Sequence, residues 1–246
     1  MNQTETAPQK SAIVFGGSRG IGNAIARRLA RDGAAVAFTY ASSASHAAEG
    51  AAGIEDAGGT AIAIPADSTN IDEIDAAVER TVEQFGRLDI AVINAGILML
   101  SDVSDVSPAD FDRMIAVNVR GVFFAIQAAA RRMREGGRIV TIGSNVAVRS
   151  GFPGSSVYSL TKAAVATMVK GIAVDLAPRK ITINNVQPGP TVTDMTSAHL
   201  DQIVPLIPLR RAGDVNEIAA LVSFLANGEA AYMTGASLTI DGGMSL

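Results

Sequence analysis

The 246-residue chain predicts a doubly wound α/β domain: a seven-stranded parallel sheet with helices on both faces. Three observations carry that expectation. Short apolar runs rich in Val and Ile recur without polar alternation, as strands covered on both faces require. Segments of helical period lie between them, for example Ile21, Ile25 and Leu29, or Ile71, Ile74 and Val78. A glycine-rich turn follows the first run directly, where such folds pass from strand to helix.

In chain order the candidate strands are 12–15, 35–39, 61–65, 90–93, 138–142, 182–186 and 237–240. A long helix is expected from Ser155 or Ser156 to about Leu176. The segment 188–213 breaks the alternation; it contains Pro188, Pro190, Pro205 and Pro208 and resists a single helix. Such segments are lids or ordinary surface excursions. No linker, repeat or low-complexity tract divides the chain, so one domain is expected over 11–246. A short polar tail, 1–10, precedes it and lacks the basic-then-apolar order of a signal peptide.

Composition narrows the chemistry. The 20 basic and 24 acidic residues leave a charge of −4, against the basic excess of a dedicated nucleic-acid protein. Without cysteine there are no disulfides, thiolate metal sites or cysteine nucleophiles. Two histidines, His46 and His199, are too few for a multi-histidine metal centre, and no metal is expected. No uninterrupted apolar run approaches the roughly 18 residues of a membrane span. A soluble cytoplasmic protein is the expectation.

The glycine turn reads Gly16-Gly17-Ser18-Arg19-Gly20-Ile21-Gly22. Glycines there let backbone amides approach a pyrophosphate at a helix N-terminus. The same residues also fit G-x-S-x-G, the nucleophile elbow of serine hydrolases, and a triad of Ser18, Asp194 and His199 can be drawn. The elbow normally follows a central strand, and no HGGG-type segment is present, so Ser18 reads better as a phosphate-contacting hydroxyl. At the end of the second strand the chain runs Thr39-Tyr40-Ala41-Ser42-Ser43, with no acid for a ribose hydroxyl. Arg19 lies in the loop instead. Together these favour a 2′-phosphate, hence NADPH over NADH; the competing view is a solvated surface arginine.

Tyr158 and Lys162 stand at i and i+4 in the long helix, on one face. With three tyrosines and four lysines in the chain, chance rarely makes such a pair. Ser144 follows the 138–142 strand at its carboxyl end, the edge where ligands of open α/β sheets bind.

From about Lys10 onward the sequence resembles the short-chain dehydrogenase/reductase family. The matching residues are Gly16 to Gly22, the Asn94-Ala95-Gly96 turn, Asn118, Ser144, Tyr158-x-x-x-Lys162 and Pro188-Gly189. Tyr232-Met-Thr-Gly and Asp241-Gly-Gly are similar to the endings of 3-oxoacyl-[acyl-carrier-protein] reductases and of relatives that reduce other ketones. The resemblance implies a Rossmann fold, NADPH/NADP, and reversible reduction of a small-molecule ketone to a secondary alcohol. Tyr158 would give the proton, its pKa lowered by the Lys162 ammonium. Ser144 would hold the substrate oxygen, Lys162 would also anchor the nicotinamide ribose, and Asn118 would hold a water linking Lys162 to solvent.

Cofactor contacts are implied at Gly16, Ser18, Arg19, Gly20, Ile21 and Gly22, and at Tyr40, Ala41 and Ser42 after the second strand. They are also implied at Asp67 and Ser68, at Asn94, Ala95 and Gly96, at Tyr158 and Lys162, and at Pro188, Gly189, Thr191 and Thr193. Plainer roles compete: a capping Ser144, a structural amide at Asn118, a strand brace at Asn94, a solvated turn aspartate at Asp67. A homotetramer is implied through helices around 105–133 and 155–176 and the C-terminal strand. A nucleotide-sensing regulator would have lost Tyr158 or Lys162, and an epimerase would carry a longer C-terminal lobe.

Three departures bear on detail. Phe15 stands where the family has threonine, which weakens a structural hydrogen bond. The Ser144–Tyr158 interval carries an extra residue around 150–154, which reshapes the substrate wall. Of two arginines that receive an acidic carrier protein, Arg179 fits the second, but the first position reads Glu135, with Arg131, Arg132 and Arg134 nearby. A carboxylate there repels an acidic carrier, so a free ketone is favoured over a carrier-linked β-ketoacyl thioester. Ile97 to Leu100, with Val146, Val148 and Phe152, read either as an apolar pocket wall or as core.

Overall fold

The computed structural model describes residues 9–150 and 152–246. Most of the expected N-terminal tail, residues 1–8, and Gly151 of the 150–154 segment lie outside the described residues. Seven strands form: β1 (Ser11–Phe15), β2 (Ala35–Tyr40), β3 (Thr60–Pro65), β4 (Ile90–Ile93), β5 (Arg138–Ile142), β6 (Thr182–Pro188) and β7 (Ser237–Ile240). All pair in parallel, in the order β3-β2-β1-β4-β5-β6-β7. β2 and β6 run one and two residues beyond expectation. Their last residues still have partners, Tyr40 opposite Pro65 and Pro188 opposite Ile240.

Parallel neighbours need crossovers. These are α1 (Gly20–Arg31), α2 (Ala44–Glu55), α3 (Ile71–Phe85), α4 (Pro108–Ile115), α5 (Val122–Arg132), α6 (Ser156–Leu176), α7 (Leu200–Ile203) and α8 (Val215–Ala226). Between α4 and α5 the chain widens into a six-residue π turn, Ala116–Gly121, a feature that frequently marks functional sites. The helix ends follow from sequence. Gly86 stops α3 in the left-handed conformation at φ 75°. Asp214 and Glu217 make a reciprocal capping box at the start of α8, a device worth about 1 kcal/mol.

Strand residues alternate between faces. Ala12, Val14, Val36 and Phe38 pack with α1 and α8, while Ile13, Phe15 and Ala37 pack with α3, α5 and α6. Two helical stretches, Pro108–Arg132 and Ser156–Arg179, are long and apolar enough by length and composition to cross a membrane, although neither holds an uninterrupted apolar run of that length. Here their inner faces pack in the core of the sheet domain. The 188–213 segment is a sequence of short helical turns closed at its base, where Thr191 bridges Gly213 and Val192 N–H donates to the Gly213 carbonyl at 2.9 Å.

Strand order reverses between β1 and β4. The loops beyond their carboxyl ends diverge there and open the crevice in which such sheets hold ligands.

Candidate functional site

The glycine loop caps β1 under tight constraint. Gly16 and Gly20 take φ of 74° and 54°, the region that favours glycine. Gly16 N–H donates to Thr39 Oγ1 at 3.0 Å, and Gly17 N–H donates to the Thr39 carbonyl at 2.9 Å. Asn94 Nδ2 donates to the Gly16 carbonyl at 2.7 Å, so Asn94 braces β4 against the loop. A Cβ at Gly22 would lie 2.1 Å from the Gly16 carbonyl oxygen, which leaves room only for glycine. Among the described residues, the amides from Ser18 to Gly22 donate to no protein acceptor, and no side chain caps α1. Those are the groups that a pyrophosphate takes at a helix N-terminus, so the loop fits a dinucleotide.

Phe15 is buried in the core, and the hydroxyl that supports the loop comes from the neighbouring strand as Thr39. Thr39 carried no motif signal, because its role depends on β1–β2 register. Tyr40, Ala41 and Ser42 leave β2 on the same edge, with Ala41 and Ser42 exposed. Asp67 Oδ1 accepts from Thr69 N–H at 2.8 Å and Thr69 Oγ1 at 2.9 Å, an Asx turn that occupies one of its oxygens. Its neighbour Ser68 touches the π turn: a Cβ on Gly121 would fall 2.2 Å from the Ser68 carbonyl oxygen.

Ser144, Tyr158 and Lys162 gather at the carboxyl end of β5. Ser144 Oγ accepts from Val146 N–H at 3.3 Å, a capping role that leaves its own proton free to donate. Lys162 Nζ lies 5.6 Å from the Tyr158 ring centroid and donates to the Ile142 carbonyl at 3.1 Å. Burial lowers the Lys162 ammonium to about 8. Tyr158 is pushed up to about 12, mainly by burial, with the Ser144 hydroxyl acting in the opposite direction. This corrects the expectation that Lys162 brings the phenol down. Desolvation outweighs every other influence on Tyr158, and the lowering contact is Ser144.

Asn118 sits in the π turn. Its side chain clasps the backbone of Ile97, accepting from Ile97 N–H at 2.9 Å and donating to the Ile97 carbonyl at 2.8 Å. Its Nδ2 also donates to Thr161 Oγ1 at 3.2 Å, and Thr161 donates to the Tyr158 carbonyl at 2.7 Å. Thr161 escaped sequence reasoning, although it adjoins Lys162 on a recognised motif. Gly96 leaves open the space between Asn118 and Lys162; a Cβ there would lie 3.3 Å from Asn118 Oδ1 and 3.5 Å from Lys162 Nζ.

After β6, Gly189 approaches the end of β7 so closely that a Cβ would stand 2.5 Å from Asp241 Cβ. Asp241 accepts from Asn145 Nδ2 at 3.3 Å, tying the C-terminal turn to the residue after Ser144. Thr191 is buried and donates to the Gly189 carbonyl at 3.0 Å. Thr193 lies over Gly20, and the neighbouring Asp194 pairs with Arg19 at 3.6 Å. Among the described residues no hydrogen bond joins Ser18, Asp194 and His199, so the triad drawn from sequence is not assembled.

The apolar stretch divides. Val146 is core; Ile97, Leu98 and Met99 are half-buried; Leu100, Val148 and Phe152 are exposed. Arg179 donates to the Ala130 and Met133 carbonyls and so closes the end of α5, while Glu135 pairs with Lys180 at 2.6 Å. That basic cluster lies at the amino end of β5, the opposite edge of the sheet from Ser144. Among the described residues no group of three metal-ligating side chains occurs.

Known proteins match the chain over nearly its whole length. The family model described as Enoyl-(Acyl carrier protein) reductase matches residues 16–245. A versicolorin reductase of Emericella nidulans is 40% identical over 95% of each chain. A short-chain dehydrogenase/reductase structure from Serratia marcescens is 50% identical, with a TM-score of 0.95, covering 98% of this chain and 100% of its own. A short chain dehydrogenase of Burkholderia cenocepacia, solved in complex with NADP, is 47% identical with a TM-score of 0.94, again over 98% and 100%.

Proposed function

The chain belongs to the short-chain dehydrogenase/reductase family of oxidoreductases, and from that premise we propose that it reduces a ketone to a secondary alcohol with NADPH, Tyr158 giving the proton. One observation carries the proposal. The Ser144 hydroxyl lies close enough to lower the pKa of the Tyr158 phenol, which stands beside Lys162 on the sheet edge that also bears the open amides of the glycine loop. Two hydroxyls converging on one place suit a carbonyl oxygen, which takes two hydrogen bonds, better than a carbon–carbon double bond.

The open amides at the α1 N-terminus would hold a nicotinamide nucleotide, which when bound would supply the hydride for the carbonyl carbon. Ser144 Oγ–H donates to the carbonyl oxygen and fixes its position. The Tyr158 phenol, held protonated by burial, gives its proton to that oxygen as negative charge develops. Lys162, as ammonium, then stabilises the phenolate. Asn118, clasped by Ile97 and Thr161, borders the gap at Gly96 through which a proton can be resupplied. In the alcohol-oxidising direction the phenolate takes the proton back. Arg19 and the acid-free end of β2 support NADPH, as does the NADP complex of the Burkholderia relative.

Cofactor oxidation measured against a ketone panel tests this reading. The panel should include aryl ketones, cyclic ketones, keto esters and acetoacetyl thioesters, free and carrier-linked. Turnover of at least one free ketone is expected, faster with NADPH than with NADH. No turnover of any member removes the proposal. A marked preference for the carrier-linked thioester would establish the second reading, a 3-oxoacyl-[acyl-carrier-protein] reductase. Lys180 already neutralises Glu135, which weakens the electrostatic objection to a carrier.

The same assay run across pH reports on Lys162. Below about pH 8 both Lys162 and Tyr158 hold their protons. Above it Lys162 loses its charge while Tyr158 stays protonated, so the reduction rate should fall as pH rises through 8. A flat reduction profile to pH 10 would remove the ammonium from the mechanism. A homotetramer belongs to the same proposal, supported by Phe111, Phe123, Leu160 and Val174 exposed on α4, α5 and α6. Light scattering should return about four times 25.3 kDa.

A further inference from the structure

We infer that Asp194 competes with the 2′-phosphate of the cofactor for Arg19, and so sets how strongly the chain prefers NADPH to NADH. The inference rests on the proposed role of Arg19 at that phosphate. Arg19 Nη1 lies 3.6 Å from Asp194 Oδ2, joining the glycine loop to the 188–213 segment. Among the described residues Arg19 is the only ion-pair partner of Asp194.

The carboxylate is presented by a turn with its own supports. Thr196 Oγ1 donates to the Thr191 carbonyl and accepts from Thr193 N–H at 3.2 Å, and Ser197 Oγ donates to the Asp194 carbonyl at 3.3 Å. Thr193 Cγ2 stands 3.5 Å from where a Cβ on Gly20 would be. The turn is therefore placed over the loop by hydroxyls and packing as well as by the ion pair. Removing the Asp194 charge leaves those contacts in place.

The two side chains are 65% and 78% exposed, so their attraction is weak and salt-screened. A weak partner yields to a stronger one. A phosphate monoester near neutrality carries nearly two charges and three acceptor oxygens, and a guanidinium fork matches it in a bidentate way. The 2′-phosphate thus takes Arg19 from Asp194 and leaves a second anion beside itself. The 2′-hydroxyl of NADH makes no such claim, and the pair survives. Binding NADPH therefore breaks an ion pair that binding NADH does not. Asp194 works against the very preference that Arg19 creates.

Titration of the full chain with NADPH and with NADH, followed by nucleotide fluorescence, tests the competition. Asp194→Asn should tighten NADPH by about 1.4-fold to fivefold, the span of measured exposed pairs, and leave NADH unchanged. Asp194→Glu, which keeps the charge, should stay near wild type. In an Arg19→Ala background Asp194→Asn should have no effect on NADPH. Weaker NADPH binding by Asp194→Asn would overturn the inference, because Arg19 would then bridge carboxylate and phosphate together; unchanged binding would also overturn it. Arg19→Ala separates the two levels of the argument. If Arg19→Ala narrows the NADPH preference while Asp194→Asn is silent, the competition alone fails. If Arg19→Ala leaves the preference intact, the role of Arg19 at the phosphate fails with it.

Discussion

Tyr158→Phe should lower kcat for ketone reduction by about 10²- to 10⁴-fold, the contribution of a positioned general acid. The phenol stands beside Ser144 and Lys162, and burial, which pushes it up to about 12, keeps it protonated near neutral pH. The substituted ring keeps the shape of the site and loses one oxygen. Cofactor affinity should fall far less, by at most the worth of one hydrogen bond, about 1 kcal/mol or fivefold. Stopped-flow turnover and nucleotide titration on one preparation give both quantities. A variant that turns over at the wild-type rate would place the proton on another donor, and Ser144 would be the next group to test.

Gly22→Ala is expected to be strongly damaging for so small a substitution. The new methyl would sit 2.1 Å from the Gly16 carbonyl oxygen and 2.5 Å from Asn94 Nδ2, two groups already bonded to each other at 2.7 Å. The carbonyl is backbone and the Asn94 amide is hydrogen-bonded to it, so the link between β1 and β4 must open. Overpacking of this kind costs about 1–3 kcal/mol. The glycine-loop amides move with it, and a displacement near 1 Å lowers kcat/KM by about 100-fold. Thermal unfolding and cofactor titration measure the two effects. Gly171→Ala is the matched control: it lies within α6, its Cβ would meet nothing within 4 Å, and it should stabilise by about 0.5–1 kcal/mol. Equal losses in both variants would show that glycine content, and not the Gly16–Gly22 contact, was being measured.

All seven strands were legible to within two residues, because a run buried on both faces writes its burial into consecutive apolar residues. The ends at Tyr40 and Pro188 were not, since those residues pair only because Pro65 and Ile240 lie opposite. The same division holds at the site. Gly16 to Gly22, Ser144, Tyr158 and Lys162 announce themselves through local spacing. Thr39, Thr161 and the Asn145–Asp241 link do not, because each acts on a residue distant in the chain and carries no pattern of its own. The direction of the Tyr158 shift was misjudged for a related reason. A charge four residues away is visible in sequence, but the packing that desolvates both groups is not.

The bond from Asn94 to Gly16 spans 78 residues, across the point where the order of strands reverses. Non-local pairing of this kind is slow, because loop closure must precede any reward. During synthesis the first strand, its glycines and the α1 amides are complete long before the residue that braces them has left the ribosome. Nucleotide therefore has no finished floor to grip until Asn94 has emerged and β4 has docked. It can trap the assembled sheet, but it cannot template the steps that lead there.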